Sequence, residues 1–357
     1  MSNHAFWNEK QVFVTGHTGF KGTWLSLWLS SLGAKVIGYS LHPPTSPNLF
    51  DLTNAAAECQ SCYGDINDFE QLEQTMKYYQ PDIIFHLAAQ PLVRKSYQNP
   101  IETFKTNVLG TAHVLEAARH TNSVKVIVNV TSDKCYENTI IKKSFQEQDR
   151  MGGHDPYSAS KGCAELVTES YRRSFFQTKH IPSINLASVR AGNVIGGGDW
   201  AEERLVPDLM RSFLERKKLI VRNRNAVRPW QHVLEPLSGY IQLAERLWDD
   251  SSFGGGWNFG PSISQEFAVQ DVLNMTMQLW GRKIDITYEN NEMHPHEAAY
   301  LQLDSSKASK LLGWVPKLST KEAIKWTVEW FRNYESGTVM GPFTVNQIKR
   351  YEQIKGV

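Results

Sequence analysis

The chain is poor in cysteine, lacks long apolar stretches and carries no excess of one charge. Only four cysteines occur in 357 residues: Cys59, Cys62, Cys135 and Cys163. Cys59 and Cys62 form a lone C-x-x-C, with neither a second pair nor a histidine at zinc spacing. Reduced, structural thiols are therefore expected, and no metal site. No apolar run approaches the roughly 18–20 residues that a spanning helix needs. The opening residues MSNHAFWNEKQVFVTG show no basic segment followed by an apolar one, so no secretory leader is read there. Together these absences predict a cytoplasmic protein. Lys and Arg total 38 against 37 Asp and Glu, a formal net charge of +1. That balance argues against nucleic acid or a membrane surface as partner. Repeats, low-complexity tracts and proline-rich linkers are also missing, so the parts of the chain are expected to pack without a flexible tether.

What is present is a 41% hydrophobic chain, enough for a sizeable core in one large or two modest domains. Its N-terminal half alternates β-branched runs with helical patterns. QVFVTG reads as a strand, TWLSLWLSSLG as an amphipathic helix stopped at Gly33, and AKVIGYS as a second strand. FEQLEQTMKYYQ is a helix, PDIIFHLAA a strand, NPIETFKTNVLGTAHVLEAARHT a long helix and VKVIVNVTS a strand. Strands joined by crossover helices predict an α/β fold with a Rossmann-like, doubly wound parallel sheet. Burial on both faces explains why these strands are apolar throughout. After SINLASVRAG comes a glycine-rich loop, GNVIGGGDW, then a helical ERLVPDLMRSFLERKK and a closing helix over TKEAIKWTVEWFRNY. Residues 1–190 are expected to form the dinucleotide-binding domain, with a segment near 229–260 added to it. Residues 191–228 and 261–357 are expected to form a smaller, mixed α/β substrate-binding domain.

Gly16-His17-Thr18-Gly19-Phe20-Lys21-Gly22 joins the first strand to the first helix. A helix N-terminus offers free N–H groups and partial positive charge to a pyrophosphate, and glycines allow its close approach. The spacing is G-x-x-G-x-x-G rather than G-x-G-x-x-G. His17 and Lys21 are expected to add a potential and a full positive charge beside the phosphates. The second strand ends in Gly38-Tyr39-Ser40 with no acidic partner for the ribose hydroxyls, so NAD is expected with NADP left open. Asp65 follows another strand; it either accepts from the adenine amino group or caps a helix.

Tyr157 and Lys161 lie four residues apart at the start of a helical stretch, on one face. A free phenol titrates near about 10, too high for a base at neutral pH. A neighbouring ammonium and a cationic nicotinamide both favour the phenolate, which can then take a proton from a hydroxyl as hydride leaves the carbon beneath it.

With His86-Leu87-Ala88-Ala89-Gln90 at a strand end and Asn107 in a long helix, these motifs together resemble the extended short-chain dehydrogenase/reductases. The tail Asp304-Ser305-Ser306-Lys307 to Leu311-Leu312-Gly313-Trp314-Val315-Pro316 resembles the nucleotide-sugar members of that family. The resemblance covers nearly the whole chain. It implies cofactor contacts at Gly16, His17, Gly19, Phe20, Lys21, Gly22, Asp65, Ile66, Leu87, Ala88, Ala89, Asn107, Tyr157 and Lys161. Thr131-Ser132-Asp133-Lys134 is the informative segment within the family. Nucleotide-sugar 4,6-dehydratases carry a hydroxyl residue and Asp-Glu at this strand end, and simple 4-epimerases lack the acidic pair. Here Asp133 matches the acid and Lys134 stands where Glu is usual, which resembles the CDP-glucose 4,6-dehydratase branch. Segments 189–200, 228–232 and 294–297 look like the same branch.

The resemblance implies oxidation at carbon 4 by Ser132, Tyr157 and Lys161, then elimination of water across carbons 5 and 6 and hydride return to carbon 6. Such a lyase serves deoxysugar biosynthesis for surface polysaccharide such as lipopolysaccharide O-antigen. Lys134 is the candidate base and Asp133 the candidate acid, with the reverse assignment open. As a base Lys134 must shed its proton, which burial and nearby positive charge favour and Asp133 opposes. Gln90, Asn193, Arg204, Arg228 and His296 are the candidate substrate contacts; Arg190, His232 and His294 divide between that role and ordinary core or ion-pair duty. An arginine fork suits phosphate oxygens. The family pattern implies a homodimer or tetramer through helices around 100–120 and 157–176. A 4-epimerase or reductase on the same scaffold, and a non-catalytic dinucleotide sensor, are the alternatives.

Overall fold

The computed structural model describes residues 3–138, 143–177, 184–261, 267–289 and 301–354. Seven parallel strands form its central sheet: β1 (Gln11–Thr15), β2 (Lys35–Ser40), β3 (Gln60–Tyr63), β4 (Ile83–His86), β5 (Val126–Val130), β6 (Asn185–Arg190) and β7 (Gly255–Asn258). Their spatial order is β7-β6-β5-β4-β1-β2-β3, so the order reverses between β1 and β4. Ligands of such sheets lie at the carboxyl ends of the strands beside this switch point. β1, β4 and β5 are buried along almost their whole length, as a doubly covered parallel sheet requires.

Helices cover both faces. They include α1 (Phe20–Ser31), α2 (Phe69–Tyr79), α3 (Gly110–Arg119), α4 (Pro156–Tyr171) and α5 (Leu205–Glu215), followed by α6 (Leu234–Asp249), α7 (Val269–Trp280), α8 (Thr320–Glu335) and α9 (Met340–Gln353). The long helix expected before β5 runs from Pro100 to Arg119 with a π-type turn at Lys105–Leu109. A short helix over Val93–Gln98 precedes it, which the sequence pattern did not show.

Two expectations need correction. α1 is not amphipathic: Thr23, Trp24, Leu25, Ser26, Leu27, Trp28 and Leu29 are all buried. The reason is a second cover, because the chain does not close with α8. α9 follows it and lies on α1, where Trp28 stacks edge-on with Tyr351 at 5.6 Å and donates to Glu352 at 3.0 Å. α6 and β7 extend the sheet side of the molecule, whereas α5, α7 and α8 pack together beyond the strand ends. Glu235, at the start of α6, binds the 317–318 backbone and the Tyr351 hydroxyl, tying α6 to the end of the chain.

Candidate active site

Gly16 sits at φ +75°, a conformation that favours glycine, and a Cβ there would lie 2.8 Å from the Ala88 nitrogen. A Cβ on Gly22 would overlap the Gly16 carbonyl oxygen, so α1 packs directly on the turn. Gly19 caps α1 without any side-chain hydrogen bond and no acidic residue enters the first turn, which leaves the N-terminal amides for an anion. These residues fit a dinucleotide pyrophosphate. Phe20 lies half-buried at the start of α1, beside Gly196.

The expected charge at this turn is corrected by burial. His17 is fully enclosed; its Nε2 meets Ser61 at 3.0 Å, its ring fills the space above Gly38, and burial pulls its pKa down to about 4. It is therefore neutral near pH 7 and puts no positive charge beside a phosphate. Burial, with Arg204 next, lowers Lys21 to about 8, while Asp133 and Asp199 oppose the shift. At the end of β2, Ser40 pairs with Thr18 at 2.7 Å. Asp65 does not cap α2; Asp68 does, and Asp65 accepts from the backbone and side chain of Asn67. Ile66 is buried and its carbonyl meets His113 at 2.9 Å.

A hydrogen-bond chain runs from the glycine turn to the helix of the Tyr–Lys pair. Thr15 accepts from the amides of Leu87 and Ala88 at 3.1 and 3.2 Å and contacts His86 Nδ1 at 2.7 Å. His86 Nε2 reaches Thr111 at 3.1 Å, and Thr111 donates to the Asn107 carbonyl at 2.7 Å. Because Thr111 spends its proton on Asn107, His86 carries its own on Nε2. Burial lowers the His86 pKa to about 3, in keeping with one neutral tautomer. Asn107 then accepts from the Gln90 amide at 2.8 Å and donates to Ser160 at 2.8 Å; Ser160 donates to the Tyr157 carbonyl at 2.7 Å. Ala89 lies half-buried between these anchors.

Asp155 caps α4 and Pro156 is its first residue, so Tyr157 lies in the first turn. Tyr157 and Lys161 are both buried. Burial raises the phenol to about 12, opposed by the Ser132 hydroxyl beside it, and lowers Lys161 to about 8, opposed by Glu165. The protein alone thus holds Tyr157 protonated. Lys161 donates to the Val130 carbonyl at 3.4 Å.

β5 ends in a tight turn that carries the second set of groups. The Ser132 hydroxyl donates to Asp133 Oδ1 at 2.9 Å and accepts from the Lys134 amide at 3.2 Å. Asp133 is 3% exposed; burial raises its carboxyl, and Lys134, Ser132, Lys21 and Arg228 only partly offset that. A carboxyl whose proton affinity burial raises, beside a lysine and with Ser132 between it and Tyr157, is placed to protonate a leaving group. Lys134 is half-buried.

The other candidates divide. Arg204 pairs with Asp199 at 3.0 Å and its charge acts on Lys21 and Tyr157; Arg228, whose charge acts on Asp133, and Asn193 are half-buried. Gln90 is buried and held by Thr103. Arg190 and His232 are core residues: Arg190 pairs with Glu165 at 2.8 Å, and His232 lies edge-on to Trp24 and Trp326 at 5.9 and 5.8 Å. His294 and His296 lie outside the described residues. Sequence reasoning missed Glu165, although its place four residues after Lys161 puts it on the same helix face. It gave no role to Gln231, which lies inside the marked 228–232 segment, and missed Tyr240, which no motif marks. The described residues contain no group of three metal-ligating side chains, and no helix among them is long and apolar enough to cross a membrane.

A family model described as GDP-mannose 4,6 dehydratase matches residues 13–327. The chain is 49% identical over 354 residues to a CDP-glucose 4,6-dehydratase of Salmonella typhimurium, covering 98% of each protein. A dTDP-glucose 4,6-dehydratase of the same organism is 26% identical over 289 residues, 75% of this chain and 77% of that one. Two solved structures share the fold. UDP-glucose 4-epimerase of Thermotoga maritima superposes with a TM-score of 0.77 at 23% identity, covering 91% of this chain and 99% of that one. A double mutant of a Streptomyces venezuelae dTDP-glucose 4,6-dehydratase, with NAD bound, gives 0.76 at 22%, with 92% and 98% covered.

Proposed function

Since the chain belongs to the GDP-mannose 4,6-dehydratase family, we propose that it removes water from CDP-D-glucose to give CDP-4-keto-6-deoxy-D-glucose. The reading rests on one observation above the others: the buried Asp133, its carboxyl raised by burial, stands beside Lys134 and shares Ser132 with Tyr157. A 4-epimerase or reductase needs the Tyr–Lys pair but has no use for that acid.

The glycine turn, Asp65, Ile66, the 87–89 strand end, Asn107, Tyr157 and Lys161 hold NAD, the cofactor bound in the related dehydratase structure. Bound there, NAD supplies the acceptor for the carbon-4 hydride and its donor to carbon 6. Tyr157 takes the proton of the 4-hydroxyl. The resulting ketone acidifies the hydrogen on carbon 5, which Lys134 removes. Asp133 gives its proton to the 6-hydroxyl, which departs as water. Gln90, Asn193, Arg204 and Arg228 position the sugar diphosphate, the two arginines by charge and paired hydrogen bonds. In this division residues 1–190 with the segment near 229–260 carry the cofactor, and 191–228 with 261–357 carry the substrate. The product serves deoxysugar synthesis for surface polysaccharide, in the cytoplasm.

The working unit is a homodimer, joined through the 100–120 and 157–176 helices. Ile101, Leu109, Leu166 and Phe175 on those helices are exposed, an apolar surface that a second copy would cover. Purified protein given CDP-glucose in deuterated water should yield a 6-deoxy product labelled at carbon 5. A product that keeps its 6-hydroxyl would overturn the assignment in favour of an epimerase or reductase.

A further inference from the structure

Three buried polar atoms that share the surroundings of Gly192 and Phe259 have no hydrogen-bond partner among the described residues: Asp133 Oδ2, Gln231 Oε1 and the Tyr240 hydroxyl. Their residues are 3%, 2% and 0% exposed and come from the turn after β5, the strand Gln231–His232 and α6. Gly192 joins them. A side chain at Gly192 would overlap Asp133 Oδ2 and come within 2.9 Å of Pro229. The Gly192 carbonyl accepts from Gln231 Nε2 at 3.2 Å, and the same nitrogen donates to the Phe259 carbonyl at 2.9 Å. Tyr240 packs edge-on against the Phe259 ring at 5.6 Å, and Asp133 is the charge that acts on its hydroxyl.

The hydrogen inventory of this group is unambiguous. Both amide protons of Gln231 are spent on carbonyl oxygens, which fixes the orientation of the amide and leaves its oxygen as a pure acceptor. Asp133 Oδ1 accepts from Ser132 and, facing the substrate, is the oxygen that carries the acid's proton in this proposal, which leaves the inner Oδ2 as a second acceptor. Tyr240 offers one proton. Two acceptors and one donor, all enclosed, match the valences of a water molecule: two protons to give and a lone pair to receive.

We propose that Asp133, Gln231 and Tyr240 bind one internal water across Gly192, and that this water stabilises the Asp133 carboxylate formed when the acid gives up its proton. The proposal rests on the assignment of Asp133 as the acid of water loss. The water donates to Oδ2 and to Gln231 Oε1 and accepts from Tyr240, in the same orientation before and after transfer. As the Asp133 O–H bond breaks, its proton bonds to the 6-hydroxyl oxygen, and the carbon–oxygen pair leaves with that oxygen as water. Charge then grows on the carboxylate, and the bond from the internal water strengthens without reorganisation. The other charged or titratable groups acting with Asp133 are Lys134, Lys21, Arg228, Tyr157 and Cys135. They lie on the turn itself, α1, the 227–228 strand and α4. None of them hydrogen-bonds to Oδ2, so its hydrogen bond depends on this pocket.

A crystal structure of the full chain with NAD, at a resolution that places waters, should show a peak within about 2.6–3.2 Å of all three atoms. No peak there, or direct contact between the side chains, overturns the site. Gln231→Leu and Tyr240→Phe should leave the appearance of reduced cofactor on mixing with CDP-glucose within about 2-fold of the parent, and slow water loss by about 10-fold or more. Reduced cofactor then accumulates. Equal effects on both steps, or on neither, refute the role given to the water. Failure of the parent protein to dehydrate any nucleotide-activated glucose would remove the proposed function instead, and the crystallographic peak is read independently of that.

Discussion

Arg190 holds the Glu165 carboxylate from two sides, Nε to Oε1 and Nη2 to Oε2, both at 2.8 Å, in the interior beneath the active site. Thr131 and Ser188 each add a hydrogen bond to the same carboxylate, and Arg190 also donates to the Tyr136 hydroxyl at 2.6 Å. Burial alone would raise Glu165; Arg190 and these hydrogen bonds outweigh it and hold the carboxyl below its usual range. The pair therefore pins α4 to β6 and to the segment after Asp133. Arg190→Met strands a buried anion and should cost about 3–5 kcal/mol in urea unfolding, whereas Arg190→Met with Glu165→Met should recover most of the loss. A single variant as stable as the parent would mean that Glu165 is solvated or protonated.

Three histidines set the response to acid. Burial lowers His17 to about 4 and His86 and His232 to about 3, from the ordinary 6.5. The unfolded chain takes up these protons first, so their contribution to stability is complete above pH 6.5 and is lost as pH falls towards 4. Between about pH 7 and 5.5 the three should together cost about 3–4 kcal/mol. His232→Phe should remove about a third of that dependence in denaturation curves taken at the two pH values. An unchanged pH dependence would show that His232 is already charged.

Tyr157→Phe deletes the group that takes the 4-hydroxyl proton. Turnover of CDP-glucose should fall by about 10²–10⁴-fold while cofactor and substrate still bind. A variant with near-parental turnover would take Tyr157 out of the mechanism.

Lys134→Ala should separate the two halves of the reaction. Hydride transfer to the cofactor persists in part, deuterium no longer enters carbon 5, and no water is lost. Equal loss of both halves in a stopped-flow comparison would mark Lys134 as a structural residue.

At the glycine turn, Gly16→Ala combines a left-handed backbone with a contact 2.8 Å from Ala88. NAD affinity measured by calorimetry should weaken by at least about 10-fold, the backbone strain alone being worth about 1–3 kcal/mol. Parental affinity would place the pyrophosphate away from this turn.

Much of the fold was legible because parallel strands and their crossover helices leave a local periodicity. The strands at 11–15, 83–86 and 126–130 and the helices at 69–79 and 320–335 appear where that pattern puts them. α1 misled for a tertiary reason: its pattern suggests a solvent face, but Thr23–Leu29 are all buried and α9 packs on its Trp28 from more than 300 positions away. The state of His17 was hidden in the same way. A histidine in a phosphate-binding turn looks like a charge until its ring is found over Gly38 and out of water.

The sequence by itself determined the glycine turn, the Tyr157–Lys161 pair and the Asp133–Lys134 strand end, because their chemistry depends on residue type at short spacing. Only the tertiary structure decided which of these groups are charged, since burial and distant partners set that balance. It sent Arg190 and His232 into the core and gave Glu165 its grip on α4. It also brought Gln231 and Tyr240 around Gly192, because residues 133, 192, 231 and 240 meet only where separate strands and a helix of the folded sheet end together.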